Sequence, residues 1–433
     1  MAAQDLQRQY YEMLMESQYW SPEQMLAYQR SQLEQLLRHA RAQVPFYEHR
    51  LDAVFARDGD INWDRWGEIP IVKRTDLLEH RDEMLARELP PGHGPTRDFT
   101  TSGSTGAPVT VTTTRIAGIA LRASRWRMNR AQSMDWSRHV VEWMGEADST
   151  AWPNGLSAGR WGPNWLPEAT GEVLHIHRTT PPDRVLEFVK RRGAAYLTGR
   201  PKSLQYLALD AIARGAPVPL SGLLCFGTAV ADDERADAIA AFGAPMWSLY
   251  SSKEGAQIAF QCPDDQLHIN AEAVSVEIVA DDDSPARPGE IGRVVITPLY
   301  NTAQPLIRYE QGDLAVAGTR CNCGRTLPTL QRVMGRVTNL FRFPDGAKVA
   351  PSVPDHFRTV LGAKYWQIAQ VGPLDLEVRY VPFPGTVPEE DEFAAVVRRH
   401  IHRSDVRISF SRHETLERAN GGKFVQYVCE LPS

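Results

Sequence analysis

The sequence predicts an α/β protein: a large N-terminal domain of parallel α/β layers with a β-rich part, then a small α+β domain. Three observations carry this reading. Short apolar runs such as "HVVEWMG" and "GLLCFGTAV" alternate with amphipathic stretches between residues 139 and 242, the signature of parallel strands joined by helices. From Val274 the texture turns to β, with "VSVEIVADDDSPARPGEIGRVVITPL" alternating around an acidic, proline-marked turn. About 100 residues then follow "MGRVTNLFRF", enough for a separate small domain.

Each element has a local reason. Ser21-Pro22-Glu23-Gln24 supplies an N-cap, a proline at the first helical position and a capping-box glutamine. Leu33, Leu36, Leu37 and Ala40 share one face of the helix that follows, and Pro45 ends it. "IPIVKRTDLLEH" gives a short extended piece and then a helix. Ile116 to Met128 is a further helix. "PPDRVLEFVKRRG", "SLQYLALDAIARG" and "DDERADAIAAFG" are the amphipathic connections between the buried strands.

At 433 residues the chain is long enough for two or three domains, and 42% hydrophobic with 23% charged residues is ordinary globular composition. A net charge of −5 argues against nucleic-acid binding. No apolar window suits a membrane span, and "MAAQDLQRQYYEM" lacks the pattern of a signal peptide, so no membrane partner is expected. The five cysteines, Cys225, Cys262, Cys321, Cys323 and Cys429, are an odd and sparse set that fits a reducing cytoplasm rather than a disulfide framework.

Chemistry is concentrated in a few stretches. "TTSGSTGAPVTVTTT" (Thr100 to Thr114) combines small residues with hydroxyls, which suits a concave donor surface for phosphate oxygens. No lysine follows Gly106, so it is not a Walker loop, and a polar surface loop is the alternative. "LYSSKEG" places Tyr250 four residues before Glu254. "PLIRYEQGDLA" carries Arg308 and Asp313 across an expected tight turn at Gly312, "MGRVTNLF" holds Arg336, and "RANGGKFVQYV" puts Lys423 on a two-glycine loop. Cys262 and His268 in "QCPDDQLHIN", with Cys321 and Cys323 in "RCNCGRT", make a Cys₃His set suited to a closed structural zinc site. The alternative is three reduced cysteines and a surface histidine. Trp126, Trp136, Trp143, Trp152, Trp161 and Trp165 form either a wall for a flat apolar ligand or ordinary core. His93 and His356 show no partner pattern and are expected at the surface.

In order and spacing, these stretches resemble the adenylate-forming superfamily of acyl-CoA synthetases, and "RCNCGRTLPTL" resembles its phenylacetate–CoA ligase-like branch. The resemblance runs from about "LLRHARAQVPFYEHRL" to the end of the chain. It implies an AMP-binding domain over residues 1–335, with a zinc-binding β-rich part at about 256–334, and a mobile C-terminal domain over 336–433. It also implies ATP-dependent activation of a carboxylic acid to an acyl-adenylate, then transfer to coenzyme A. An amine or hydroxyl acceptor and a non-catalytic scaffold are the alternatives. The acid is expected to be aromatic, and a dimer is the expected assembly.

The implied roles follow residue by residue. Ser102, Gly103, Ser104, Thr105 and Gly106 would hold the β- and γ-phosphates, with Thr105 part of the catalytic set. Glu254 would hold Mg²⁺. Gly227, Tyr250 and Ser251 would bind the nucleotide, with Tyr250 offering a ring face to the adenine, Asp313 would accept from the ribose hydroxyls, and Arg308 and Arg336 would brace the nucleotide. Lys423 would bridge the substrate carboxylate and the phosphate in the transition state. Two departures stand out: Lys253 lies beside the proposed Mg²⁺ ligand, and the hinge reads Val337-Thr338-Asn339 where an acidic pair is usual.

Overall fold

The computed structural model describes residues 3–100, 108–163, 165–166, 170–227, 230–336, 340–349, 351, 353, 355–416 and 425–431. They fall into two compact units, one built of Met1–Phe99, Thr110–Gln311 and Ala315–Val333, the other chiefly of Met334–Ser433.

The large unit opens with helices α1 (Ala3–Ser17), α2 (Pro22–Gln43) and the short α3 (Arg74–Glu79). Helix α2 starts as its sequence dictates: the Ser21 hydroxyl accepts from the Gln24 amide while the Gln24 side chain accepts from the Ser21 amide. Leu33, Leu36, Leu37 and Ala40 are buried on its inner face. Strands β1 (Thr96–Thr100) and β2 (Thr110–Thr114) form a separate pair, and α4 (Arg115–Ala131) follows, capped by the Thr114 hydroxyl.

The parallel layer comes next. Its strands are β3 (His139–Gly145), β5 (Glu172–His177), β6 (Ala194–Gly199), β7 (Gly222–Phe226) and β8 (Met246–Ser252), with β4 (Leu156–Arg160) antiparallel at the edge. Helices α5 (Pro182–Arg192), α6 (Pro201–Ala213) and α7 (Asp232–Phe242) make the crossovers. All three bury their apolar stripes on one face of the sheet, against Val141, Leu174, Ile176, Leu197, Leu223, Cys225 and Met246. Period-2 alternation sends Val140, Tyr196, Leu224 and Trp247 to the opposite face. Gly222 belongs there for a steric reason: a Cβ on it would lie 2.2 Å from the Trp247 ring.

Antiparallel strands extend the same sheet: β9 (Ala256–Gln261), β10 (Leu267–Ile269), β11 (Val274–Val279), β12 (Ile291–Pro298), β13 (Tyr309–Ala317) and β14 (Thr329–Arg336). The resulting order is β11-β12-β13-β14-β10-β9-β8-β7-β6-β3-β5-β4. The β texture read from Val274 onward is therefore real, but it continues the parallel sheet instead of forming its own. The turn expected at Gly312 is the interior of β13, where that glycine takes φ +74° within an extended run.

The second unit carries a hairpin of β15 (Phe341–Arg342) and β16 (Lys348–Val349). Beside it lies a four-stranded sheet of β17 (Ala363–Gly372), β18 (Asp375–Pro382), β19 (Arg407–Arg412) and β20 (Tyr427–Cys429), ordered β19-β18-β17-β20. Helix α8 (Glu390–His400) packs Phe393, Val396 and Val397 onto Trp366, Ile368, Val378 and Tyr380. The mixed α+β character expected of this region is what the structure has.

The six clustered tryptophans do not line one wall. Trp126 and Trp136 pack with Leu14 and Ala123, joined by Trp161 and Trp165, whereas Trp143 and Trp152 lean on the separate core under α5 to α7. They are core and rim packing of two clusters, which removes their support for a flat-ligand slot. His93 is also not a free surface residue: its Nδ1 lies 2.9 Å from the Thr302 hydroxyl, and burial with the nearby His39 lowers its pKa.

Candidate active site and metal-ligand cluster

Four of the expected nucleotide residues sit at the carboxyl ends of β7 and β8, where parallel α/β sheets bind ligands. Gly227 follows β7 directly, with φ +86°. Tyr250 is buried inside β8, and Ser251 is one residue from the end of that strand. The Ser252 hydroxyl accepts from the Gly255 amide at 2.8 Å, closing the tight turn that carries Lys253 and Glu254 into β9. Gly255 is closely packed, since a Cβ there would meet the Ile296 Cδ1 at 2.5 Å and require that side chain to shift. Glu254 is buried on this turn at 8% exposure, a carboxylate held beside the strand ends.

Arg308 behaves differently from its expected role. It is 2% exposed, takes φ +52°, and donates to the carbonyls of Gly67 at 2.6 Å and Ile69 at 2.7 Å. Its other nitrogen pairs with Glu277 at 3.2 Å. The guanidinium is committed to pinning the segment before α3 to the sheet, and is not presented to a ligand. Asp313 lies on β13, half-buried, and β14, β10 and β9 separate that strand from β8. Arg336 ends β14. Ser102, Gly103, Ser104, Thr105 and Gly106, the hinge residues Val337, Thr338 and Asn339, and Lys423 lie outside the described residues.

Gln257 was not singled out by its sequence. It stands opposite Ser251 in the β8–β9 register, is 2% exposed, and neither end of its amide has a hydrogen-bond partner among the described residues. Nothing in "GAQIAF" signals this, because only the strand register brings the side chain next to the "YSSKE" segment.

The cysteine–histidine set does come together. The ligand atoms of Cys262, His268, Cys321 and Cys323 all lie within 4.8 Å of one another. Cys262 follows β9 and His268 sits in β10, while both other cysteines come from the loop between β13 and β14. The Cys262 and Cys321 sulfurs are 3.6 Å apart, close to the roughly 3.8 Å that two thiolates span on a tetrahedral zinc. The His268 Nδ1 faces the Leu327 carbonyl at 3.3 Å, which leaves Nε2 toward the Cys323 sulfur at 3.2 Å.

Burial lowers the His268 pKa to about 4, so the ring is neutral, as a metal ligand must be. Burial pushes the Cys262 thiol up to about 12. Burial also raises Cys323, but hydrogen bonds from the Arg325 backbone and guanidinium outweigh it, and the thiol ends lower than usual. Three soft sulfurs and one oriented imidazole fit a closed Cys₃His metal site.

No protein-family model matches the sequence. The chain is 26% identical over 332 residues to phenylacetate-coenzyme A ligase of Thermus thermophilus, covering 73% of this chain and 72% of that protein. The fold matches 2-hydroxyisobutyryl-CoA ligase in its postadenylation state with a TM-score of 0.72 at 18% identity, over 95% of this chain and 91% of that one. It also matches an anthranilate CoA ligase with a TM-score of 0.54 at 13% identity, over 75% and 65% of the two chains. The chain is a relative of phenylacetate–CoA ligase with the adenylate-forming ligase fold. The buried glutamate on the β8–β9 turn and the exposed glycine after β7 lie at the same end of neighbouring parallel strands. Among the described residues, no helix is long and apolar enough to cross a membrane.

Proposed function

We propose that this phenylacetate–CoA ligase relative activates a carboxylic acid with ATP and passes the acyl group to the thiol of coenzyme A. In the first step a carboxylate oxygen bonds to the α-phosphorus and the bond to the β-phosphate breaks, releasing pyrophosphate. In the second, the thiol sulfur bonds to the acyl carbon and AMP leaves. The observation that carries this reading is the placing of Gly227, Tyr250, Ser251 and Glu254 at the carboxyl ends of β7 and β8, in a relative of such a ligase.

Within it, Ser102 to Gly106 cradle the leaving phosphates and Asp313 accepts from the ribose. Lys423 neutralises charge as the carboxylate meets the phosphate. Mg²⁺ at Glu254 would screen the negative charge of the phosphates. The Cys₃His cluster takes a structural Zn²⁺ that ties β9 and β10 to the loop before β14. The acid is read as aromatic on the similarity to phenylacetate–CoA ligase alone, and the working compartment as a reducing one. Residues 1–335 form the AMP-binding domain and residues 336–433 the moving one, and a homodimer is the proposed assembly.

The non-acidic Val337-Thr338-Asn339 stretch favours a second acceptor class, an amine or a hydroxyl, because the usual hinge chemistry for the thioester step is missing. Pyrophosphate release is measured with ATP, Mg²⁺ and a panel of aryl, hydroxy and aliphatic acids, and coenzyme A, an amine and a hydroxyl compound are then compared as acceptors. Release that depends on an acid, followed by thioester formation, is expected. No acid-dependent release would overturn the proposal.

A further inference from the structure

One pair of charged side chains on the parallel sheet has no role in that chemistry. Glu142 on β3 and His175 on β5 stand opposite each other in register, with His175 Nε2 3.0 Å from a Glu142 carboxylate oxygen. The strand register extends the row: Glu142 faces Thr198 on β6, Thr198 faces Leu224 on β7, and Leu224 faces Trp247 on β8. All five side chains therefore lie on one face of the sheet, the face opposite α5, α6 and α7. The row is otherwise apolar or small, and at its far end β8 runs on into Tyr250 and Ser251. At about 4.8 Å per strand, Glu142 lies roughly 14 Å across the sheet from β8.

Three features point away from a purely structural pair. The side chains are 29% and 32% exposed, so they remain open to a ligand. An ion pair this exposed adds little stability. Most important is the position in the topology. The chain leaves β3 toward β5 on one side, and leaves β6 toward β7 on the other, so the strand order reverses between β3 and β6. Ligand crevices open at the carboxyl ends of strands at such a reversal; Glu142, midway along β3, and Thr198, one residue from the end of β6, are register partners on the two strands that flank it. Hydrogen bonding to Glu142 raises the His175 pKa above that of a free imidazole, and the contact itself fixes the direction of the carboxylate.

We infer that Glu142, oriented by His175, is a specificity residue that accepts a hydrogen bond from a hydroxyl or amino substituent on the acid. This rests on the acid-activation reading and deepens it: the substrate class becomes carboxylic acids carrying a remote donor. The rest of the row, Thr198, Leu224 and Trp247, offers only a small hydroxyl and apolar surface. A plain hydrocarbon acid would fill the apolar row but leave unused the Glu142 lone pairs that do not face His175.

The test uses the full chain and acids paired to differ by one donor: benzoate against its hydroxy and amino derivatives, and isobutyrate against its hydroxy derivative. Pyrophosphate release gives kcat/KM for each, and acid binding without ATP is followed by tryptophan fluorescence, since Trp247 lies in the row. The wild type is expected to prefer at least one donor-bearing acid over its parent by about ten- to a hundredfold, the range of a hydrogen bond to a charged group. Glu142→Gln should bring that ratio close to one, and His175→Gln should lower it less, with circular dichroism reporting the fold of both variants. A wild-type ratio near one among acids that are turned over, or a ratio unchanged in Glu142→Gln, overturns the inference and leaves the ligase reading intact. Release with no acid at all overturns the ligase reading, and this inference with it.

Discussion

In the large unit the strongest polar contacts are buried. Arg127 and Glu272 are both fully buried and meet at 2.6 Å, and Arg127 also donates to Asn270 at 2.6 Å while Ser17 donates to Glu272 at 2.5 Å. Tyr28 hydrogen-bonds Tyr300 in the same region, with Tyr10 edge-on to the Tyr300 ring. In the small unit the charged pairs lie outside. Arg407 grips Asp375, Arg403 grips Asp345 and Asp405, and Arg379 grips Glu377 and Glu430, around a mainly apolar core centred on Trp366. A buried network fixes one arrangement and punishes the loss of any member, whereas exposed pairs add little and can be remade. On the proposed function this division is useful: the unit that holds Tyr250 and Glu254 is rigid, and the unit whose sequence carries Lys423 is held together by its own small core.

The largest expected effect tests what the small unit contributes to chemistry. Lys423→Ala should lower the adenylation rate by about three orders of magnitude or more, while thioester formation from a supplied acyl-adenylate persists. The two half-reactions are measured separately, by pyrophosphate release and by thioester yield. Equal losses in both would show that the lysine has no selective role in the first transition state.

The buried network should show the next largest effect, this time on stability. Glu272→Gln leaves Arg127 with an uncompensated buried charge and should cost about 3–5 kcal/mol, read by denaturant unfolding. Replacing both by Met and Leu should recover most of that loss, because the desolvation of both charges disappears together. A Glu272→Gln variant as stable as the wild type would break the contrast between the units.

The metal cluster lies between these extremes. Protein purified without chelator should contain one zinc per chain, and Cys321→Ser should lower the thermal midpoint more than it changes KM for the acid. Elemental analysis without stoichiometric zinc ends that idea. Arg178→Ala serves as a control, because its pair with Glu146 is exposed and should shift the midpoint little.

What was legible in the sequence follows from how local each signal is. Helix α2, the three crossover helices and the parallel strands were readable because capping residues and apolar periodicity act within a few residues. The four metal-site residues were readable because thiols and an imidazole are chemically distinctive wherever they sit. Two kinds of feature were hidden. The tryptophans looked like a wall because they cluster in sequence, yet Trp126 lies on α4, Trp143 on β3 and the others in loops, and tertiary packing divides them between two cores. Glu142, His175 and Gln257 were invisible because their meaning depends on strand register, between β3 and β5 for the first two and across the β8–β9 turn for the third. Gly312 was placed on a turn because glycine before aspartate usually marks one, and here the strand pairing overrides that preference.

The smallest expected effect concerns pH, where hydrogen-bonded carboxyls and buried tyrosines act in opposite windows. In the small unit, the Ala347 amide and then Arg403 hold the Asp345 carboxyl below its ordinary pKa, Arg403 does the same for Asp405, and Arg407 for Asp375. Burial raises Glu377, but hydrogen bonds from Ser411 and Arg379 outweigh it. A carboxyl whose folded pKa is depressed stabilises the fold fully above its unfolded value, and that contribution is lost as pH falls through the folded value. The small unit should therefore loosen below about pH 4. In the large unit, burial raises the pKa of Tyr10, Tyr28, Tyr47 and Tyr300. A raised pKa gives the opposite window: stability is complete below the unfolded tyrosine value and declines above about pH 10. Limited proteolysis at pH 3.5 and at pH 10.5, with cut sites mapped by mass spectrometry, should open residues beyond 340 first in acid and the segment around α1 first in alkali. Because the small unit's pairs are exposed and screened, 0.5 M salt at neutral pH should weaken its protection only slightly, and single changes such as Arg407→Ala should leave the thermal midpoint nearly unmoved. Cutting that begins in the same unit at both pH values would show that the two units do not differ in how they hold their charges.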